Sequence, residues 1–229
     1  MNLFLTESVK NDQEFELTGQ EATHAVRVLR LSPGDAVFAT DGEGTIYQGV
    51  VSSAAAERLR ADVVERRFEQ PSPDVILAIG DIKKRDRLEF AVEKAVELGI
   101  RHLVIWQGDH SLRKTLRMDR LNATALSAMK QSLRAWRPRI ETCDSLQALL
   151  EAYRDVQTVV ADETVPWTGS RERVVAEGER LMFIVGPEGG FSTEERELLA
   201  KHAIAPLSLG SHRLRTETAA MVISSLYLT

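Results

Sequence analysis

The residues with the clearest chemical potential lie in Val185-Gly186-Pro187-Glu188-Gly189-Gly190-Phe191-Ser192. This stretch follows the apolar run Leu181–Val185 and precedes a strongly signalled helix start. Ser192 and Glu195 have capping-box spacing, and Glu194 adds a negative charge to the first turn. Glycines at the carboxyl end of a buried strand let backbone approach a ligand closely, although the same residues also serve a tight turn. No Gly-Lys-Ser/Thr follows and no G-x-G-x-x-G occurs in the chain, which weighs against nucleotide hydrolysis and nicotinamide binding.

A second loop of the same kind is Leu209-Gly210-Ser211-His212-Arg213-Leu214-Arg215-Thr216-Glu217-Thr218-Ala219. Here too a strand candidate gives way to glycine, polar residues and a helix start, with Thr216 or Thr218 available as a cap. Two such loops are more informative together than either alone, and their helix N-termini favour a carboxylate or another anion.

The charges are unevenly spread. The whole chain has 29 Lys+Arg against 34 Asp+Glu, a net charge of −5, which argues against an indiscriminate nucleic-acid coat. Residues 1–70 carry 7 basic and 12 acidic side chains, and the remainder has 22 of each. Between Arg113 and Arg139 there are eight basic residues, including Lys130, Arg134 and Arg137, and one acid, Asp119. Trp136 sits among them, a mixture suited to phosphates and stacked bases, although a charge run is also a common solvated helix face. A smaller cluster, Lys83-Lys84-Arg85-Asp86-Arg87, lies upstream.

Certain elements must carry these residues. Residues 1–70 read as small and β-rich, with turns at Leu31–Asp35 and Asp41–Gly44 and a hairpin formed by 36–39 and 46–51. Spacing of this kind fits a small barrel. Glu21–Leu31 reads as a short helix with Ala22, Ala25, Val26 and Leu29 inward and His24, Arg27 and Arg30 outward. The prolines in Gln70-Pro71-Ser72-Pro73 mark a domain boundary. After it strands are expected at 75–79, 103–106, 158–161, 181–185 and 205–209, with helices at 86–98, 119–135, 192–203 and 217–228. This alternation predicts an α/β domain with a parallel sheet over 74–229. The lone Cys143 lacks partners for a disulfide or zinc site. No apolar run reaches the roughly 18 residues of a membrane span, and a cytoplasmic protein without metal or membrane is expected.

The two glycine loops, together with Glu93–Gly99, Gln131-Ser132, Arg134, Pro138, His24, Val28–Arg30, Gly34-Asp35 and Asp41–Gly44, resemble the bacterial 16S rRNA uridine-N3 methyltransferases (the RsmE family). The likeness runs across nearly the whole chain in family order. The family usually shows an arginine in place of His212 and an aliphatic residue in place of Arg213. Residue 229 falls soon after the last helix begins, and a short further tail is expected from the family pattern.

The resemblance implies a SPOUT domain over 74–229 in which the chain passes through a loop to form a deep trefoil knot, a rare exception to ordinary connection rules. It implies a PUA-like RNA-binding barrel over 1–70. S-adenosylmethionine is then held by Val185, Gly186, Pro187, Glu188, Gly189, Leu209, Gly210, Leu214 and Thr218. The implied substrate is one uridine of 16S rRNA near the decoding site of the 30S subunit, and the implied assembly is a homodimer. Catalytic candidates are Arg215, Glu217 and Arg134, because the N3 proton must leave before or during attack. Candidates for RNA contact are His24, Arg27, Arg30, Lys83, Arg85, Arg113, Lys130, Arg134 and Arg137. Two alternatives share parts of this pattern: a SPOUT enzyme acting on a ribose 2′-hydroxyl or guanine nitrogen, and a non-catalytic RNA-binding protein of the ribosome.

Overall fold

The computed structural model describes residues 2–71, 74–111, 115–169 and 180–227. Arg113 and Lys114, part of the basic run, therefore lie outside the described residues. The chain divides into two compact units, residues 1–71 with 129–137 and residues 72–128 with 138–229.

The first unit is a six-stranded sheet in the order β1-β4-β5-β6-β3-β2. Its strands are β1 (Leu3–Leu5), β2 (Ser8–Lys10), β3 (Glu14–Thr18), β4 (Ala36–Thr40), β5 (Thr45–Ala55) and β6 (Arg58–Phe68). The expected hairpin is present as β4 and β5, and β6 extends it as a second long antiparallel partner. Register shifts at Gln48/Gly49 and Val51/Ser53 bend this ladder. Phe4, Phe15, Leu17, Tyr47 and Leu59 fill the core. The helical stretch begins earlier than the sequence suggests, as α1 (Gly19–Thr23) followed by a π turn, His24–Val28. Ala22 and Ala25 point into the core, while His24, Arg27 and Arg30 are exposed.

Residues 129–137 complete this unit. The Thr40 hydroxyl donates to the Ala135 carbonyl at 3.0 Å, and the Ala135 amide donates to the Glu69 carboxylate at 3.0 Å. Gly44 adopts φ +103°, and a Cβ there would lie 2.5 Å from the Trp136 ring. The backbone is bare at this point because an indole occupies the space.

The second unit is a parallel sheet in the order β12-β10-β11-β7-β8-β9. The strands are β7 (Asp74–Gly80), β8 (His102–Trp106), β9 (Arg139–Cys143), β10 (Gln157–Ala161), β11 (Arg180–Val185) and β12 (Ala205–Leu207). Helices α2 (Arg85–Glu97), α3 (Met118–Gln131), α4 (Leu146–Ala152), α5 (Thr193–Lys201) and α6 (Thr216–Tyr227) alternate with them. Ile76, Ala78, Val104, Met182 and Ile184 face α4 and α5, where Leu149, Leu150 and Leu199 meet them. Alternate residues such as Leu77, Leu103 and Phe183 are fully buried on the opposite face, so the central strands read as unbroken apolar runs.

Three differences from the sequence reading have local causes. The helix expected over 119–135 ends at Gln131, because Leu133 takes a left-handed φ of +58°. Strand β9 was not anticipated: its Arg-Ile-Glu-Thr-Cys sequence lies at the sheet edge and is only partly buried. Helix α4 was missed for its length of 7 residues, although Ser145 caps it by accepting the Ala148 amide at 3.1 Å. Among the described residues no helix is long and apolar enough to cross a membrane.

Gly44→Ala must move Trp136 as well as hold a left-handed backbone. It is expected to destabilise the first unit by about 2–4 kcal/mol. Hydrogen exchange should then accelerate in β5 and β6 while β7 and β8 stay protected.

Candidate functional site

Strands β7, β10 and β11 are parallel neighbours, so their carboxyl ends reach one edge of the sheet. The strand order reverses between β7 and β11, and such a switch point is where open α/β sheets take ligands. The loops leaving this edge enclose a cavity of about 670 Å³, within the usual range of small-molecule sites.

Close backbone packing sets its shape. A Cβ on Gly80 would lie 2.3 Å from the Pro187 nitrogen and 2.7 Å from the Gly186 carbonyl carbon, so the 186–190 loop rests directly on the end of β7. Trp106 secures the same loop from the neighbouring strand. Its indole N–H donates to the Val185 carbonyl at 3.2 Å, and its ring stacks on Phe191 at 5.8 Å and 14°. Gly190 turns the chain at φ +72°.

The helix start is fixed as the sequence indicated. The Ser192 hydroxyl accepts from the Glu195 amide at 3.1 Å, and the Glu195 carboxylate accepts from the Ser192 amide at 2.8 Å. The same two side chains also hold the loop after β8. Ser192 donates to Asp109 at 2.6 Å, and the Asp109 amide donates to Glu195 at 3.0 Å. Both oxygens of a buried glutamate are thereby satisfied.

The second glycine loop is tied to the first by one bond: the Thr216 hydroxyl donates to the Gly186 carbonyl at 3.1 Å. Glu217 follows in the first turn of α6 and is buried. One of its oxygens lies 3.6 Å from Arg87 Nε, and the other has no hydrogen-bond partner among the described residues. Arg87 also reaches Glu188 at 3.4 Å, so a single guanidinium touches both loops.

The wall is chemically divided. Val185, Leu209, Leu214 and Ala219 are apolar, whereas Asp162, Glu163 and Glu188 offer carboxylates and Lys83, Lys84 and Arg215 offer cations. Asp162 pairs with Arg196 and accepts the Thr164 amide and hydroxyl at 2.9 Å each. Burial works to raise the Asp162 carboxyl, but the hydrogen bonds from Arg196 and Thr164 outweigh it and hold the group below the ordinary carboxylate value. Arg213 is paired with Glu163 at 2.9 Å, which gives this departure from the family pattern a local partner. His212 is exposed on the rim.

Most of the expected cofactor residues meet here: Val185, Gly186, Pro187, Glu188, Leu209, Gly210 and Leu214 line the cavity, as does Arg215. Gly189 and Thr218 do not. Gly189 lies against His110, where a Cβ would come within 2.5 Å of the imidazole side chain. Glu217 sits behind Arg87. Arg134 belongs to the first unit, as do the exposed His24, Arg27, Arg30 and Arg137. Lys130 forms an ion pair with Glu21 within that unit. Lys83 lies on the cavity rim, and Arg85 is held by the buried Asp81. Gly80, Trp106, Arg87 and Asp162 were not singled out from the sequence. Only Gly80 carried a readable signal, a glycine at the carboxyl end of a wholly buried strand.

Comparison with known proteins divides the chain near residue 70, and the second match runs through the re-entrant 129–137. A profile described as an RNA methyltransferase domain matches residues 69–228, and one described as an RNA methyltransferase PUA domain matches 17–64. The Ribosomal RNA small subunit methyltransferase E of Mycobacterium tuberculosis is 32% identical over 214 residues, covering 89% of this chain and 82% of that protein. Its Bacillus subtilis counterpart is 28% identical over 227 residues, covering 93% and 89%. Among solved structures, a probable rRNA-methyltransferase from Porphyromonas gingivalis superposes with a TM-score of 0.83 at 32% identity, covering 98% of this chain and 95% of that one. The Neisseria gonorrhoeae methyltransferase E, solved bound to S-adenosyl methionine, shares the fold with a TM-score of 0.86 at 22% identity, covering 98% and 95%.

Three outcomes are expected. Gly80→Ala displaces the 186–190 loop and weakens binding of a cavity ligand by about tenfold or more, read by calorimetric titration. Ser192→Ala lowers stability by about 1–2 kcal/mol in chemical denaturation, through loss of the cap. The Asp162 contribution to stability is complete above the unfolded carboxyl value of 3.8 and is lost as pH falls through the lower folded value. Asp162→Asn should therefore flatten the acid limb of the stability–pH curve.

Proposed function

This chain belongs to the ribosomal RNA small subunit methyltransferase E family, and from that premise we propose that it methylates N3 of one uridine in 16S rRNA near the decoding site. The observation that carries the reading is the cavity formed by two glycine loops tied through Thr216 and Gly186. As a member of the family it is an S-adenosylmethionine-dependent rRNA methyltransferase.

The lining suits that cofactor. Leu209, Leu214 and Val185 match an adenine, the carboxylates of Asp162, Glu163 and Glu188 match a sulfonium and an ammonium, and Lys83 and Lys84 match a carboxylate. When bound, S-adenosylmethionine supplies an electrophilic methyl group for in-line displacement, and the protein's task is mainly alignment. Uracil N3 carries a proton at neutral pH, so negative charge develops on the ring as that proton leaves. Arg215, exposed in the lining, is the residue we place beside that charge. Glu217 acts behind it, holding Arg87 between the two loops.

The chain from β11 to α6 forms a SPOUT trefoil knot, and the active species is a cytoplasmic homodimer acting on the 30S subunit. Residues 1–70, completed by 129–137, form the PUA-like RNA-binding domain, and the rest of 74–229 forms the catalytic one. Arg134 and Arg137 hold RNA backbone, with His24, Arg27 and Arg30 on the same unit.

The test is transfer of labelled methyl to 30S subunits lacking the modification and to naked 16S rRNA, with the product nucleoside identified by mass spectrometry. A single N3-methyluridine is expected. A ribose-methylated or guanine-methylated product overturns the acceptor, and a protein that binds no S-adenosylmethionine is an RNA-binding protein only. Arg215→Ala should lower kcat by about a hundredfold with cofactor affinity little changed.

A further inference from the structure

We propose that the exposed ring of Phe68 is a stacking platform for one unpaired base of the rRNA substrate, with Arg137, which packs on the same Asp41–Gly44 turn, available for an adjoining phosphate. The proposal rests on the reading that this chain acts on rRNA. The sequence pointed to Trp136 as the aromatic member of the basic run. In the structure, however, the indole is partly buried and its N–H is committed to the Glu69 carbonyl at 2.9 Å. It supports Phe68 instead. The two rings meet at 5.9 Å and 78°, so the indole touches Phe68 without stacking on it and leaves at least one face of that ring uncovered.

Phe68 is 53% exposed at the end of β6, whereas Phe4 and Phe15 of the same unit are 2% and 0% exposed. Its position is nevertheless fixed. A Cβ on Gly44 would lie 2.8 Å from the Phe68 ring and 2.5 Å from Trp136, so both rings close over bare backbone. A fixed, solvent-facing aromatic ring costs little ordering when a base stacks on it. The surrounding charge favours a polyanion. Arg137 is exposed, forms no ion pair with a carboxylate among the described residues, and packs on the turn that carries Gly42 and Gly44. Arg66 is committed to Asp12, and Glu43, whose backbone bridges to Trp136, is an acid beside the patch. An exposed ring with one guanidinium on the adjoining turn fits single-stranded RNA, where every base has a face to stack and every step a phosphate.

The experiment measures methyl transfer by the full-length protein to 30S subunits lacking the modification, for wild type, Phe68→Ala, Phe68→Leu, Phe68→Trp and Arg137→Ala. Phe68→Ala and Phe68→Leu should each raise the KM for 30S subunits by about tenfold, measured well below the Tm of each variant, with kcat and cofactor affinity unchanged. Phe68→Trp should restore the wild-type KM. Arg137→Ala should lower the slope of log affinity against log salt by about one, and Phe68→Ala should leave that slope unchanged. A wild-type KM in Phe68→Ala overturns the proposal, as does a wild-type KM in Phe68→Leu, which would make the contact merely apolar. Altered sedimentation of Phe68→Ala at unchanged KM also overturns it, by assigning the ring to contact with a second copy. If wild type transfers no methyl to rRNA, the functional reading fails and the proposal with it. If wild type is active and Phe68→Ala matches it, only the proposal fails.

Discussion

The backbone of Gly186 and Pro187 lies directly against Gly80, in space that any side chain at position 80 would occupy. The rest of the cavity depends on this contact. It is possible because β7 and β11 are parallel neighbours with their ends at one edge, and because Trp106 on the adjacent strand takes the Val185 carbonyl as its hydrogen-bond partner. With the first loop fixed, the Thr216 hydroxyl has a stationary carbonyl to bond, and the second loop is fixed by the first. The capping box at Ser192 and Glu195 extends the arrangement to the loop after β8. A polar cofactor held largely by backbone needs rigid backbone, and here each loop is held by a neighbour rather than by itself.

The charge pattern gives the first unit a different task. The net charge of −5 resides in residues 1–70, yet this unit also takes in 129–137 with Lys130, Arg134 and Arg137. Several of its cations are neutralised locally: Lys130 by Glu21, Arg58 and Arg60 by Glu16, and Arg66 by Asp12. Among the described residues, the exposed Arg27, Arg30, Arg67 and Arg137 form no ion pair with a carboxylate. An acidic surface with a few uncommitted guanidinium groups discourages binding to arbitrary RNA and leaves recognition to shape and position.

Much of this was legible in the sequence because local rules and tertiary structure agree. Unbroken apolar runs marked the buried strands, Ser192 and Glu195 marked the start of α5, and the glycine loops marked the edge of the sheet that holds the cavity. Strand β9 was not legible, since an edge strand with an arginine and a glutamate among five residues has neither an apolar run nor alternation. The end of α3 was hidden because Leu133 sits in a left-handed conformation that its type does not announce. Arg87 was visible only as one charge in a knot of charges. Its role arises from Glu188 and Glu217, which are far from it in the chain and brought to it only by the fold. The same holds for Phe68 and Trp136, an aromatic pair joined across the chain by the re-entry of residues 129–137.

The central claim is that one rigid pair of loops binds the methyl donor. Hydrogen–deuterium exchange with and without S-adenosylmethionine tests it most directly. The account predicts slowed exchange at residues 185–190 and 208–216, and in the turn after β7, with exchange in β3 to β6 unchanged. Protection confined to the first unit, or none at either glycine loop at saturating cofactor, would contradict it.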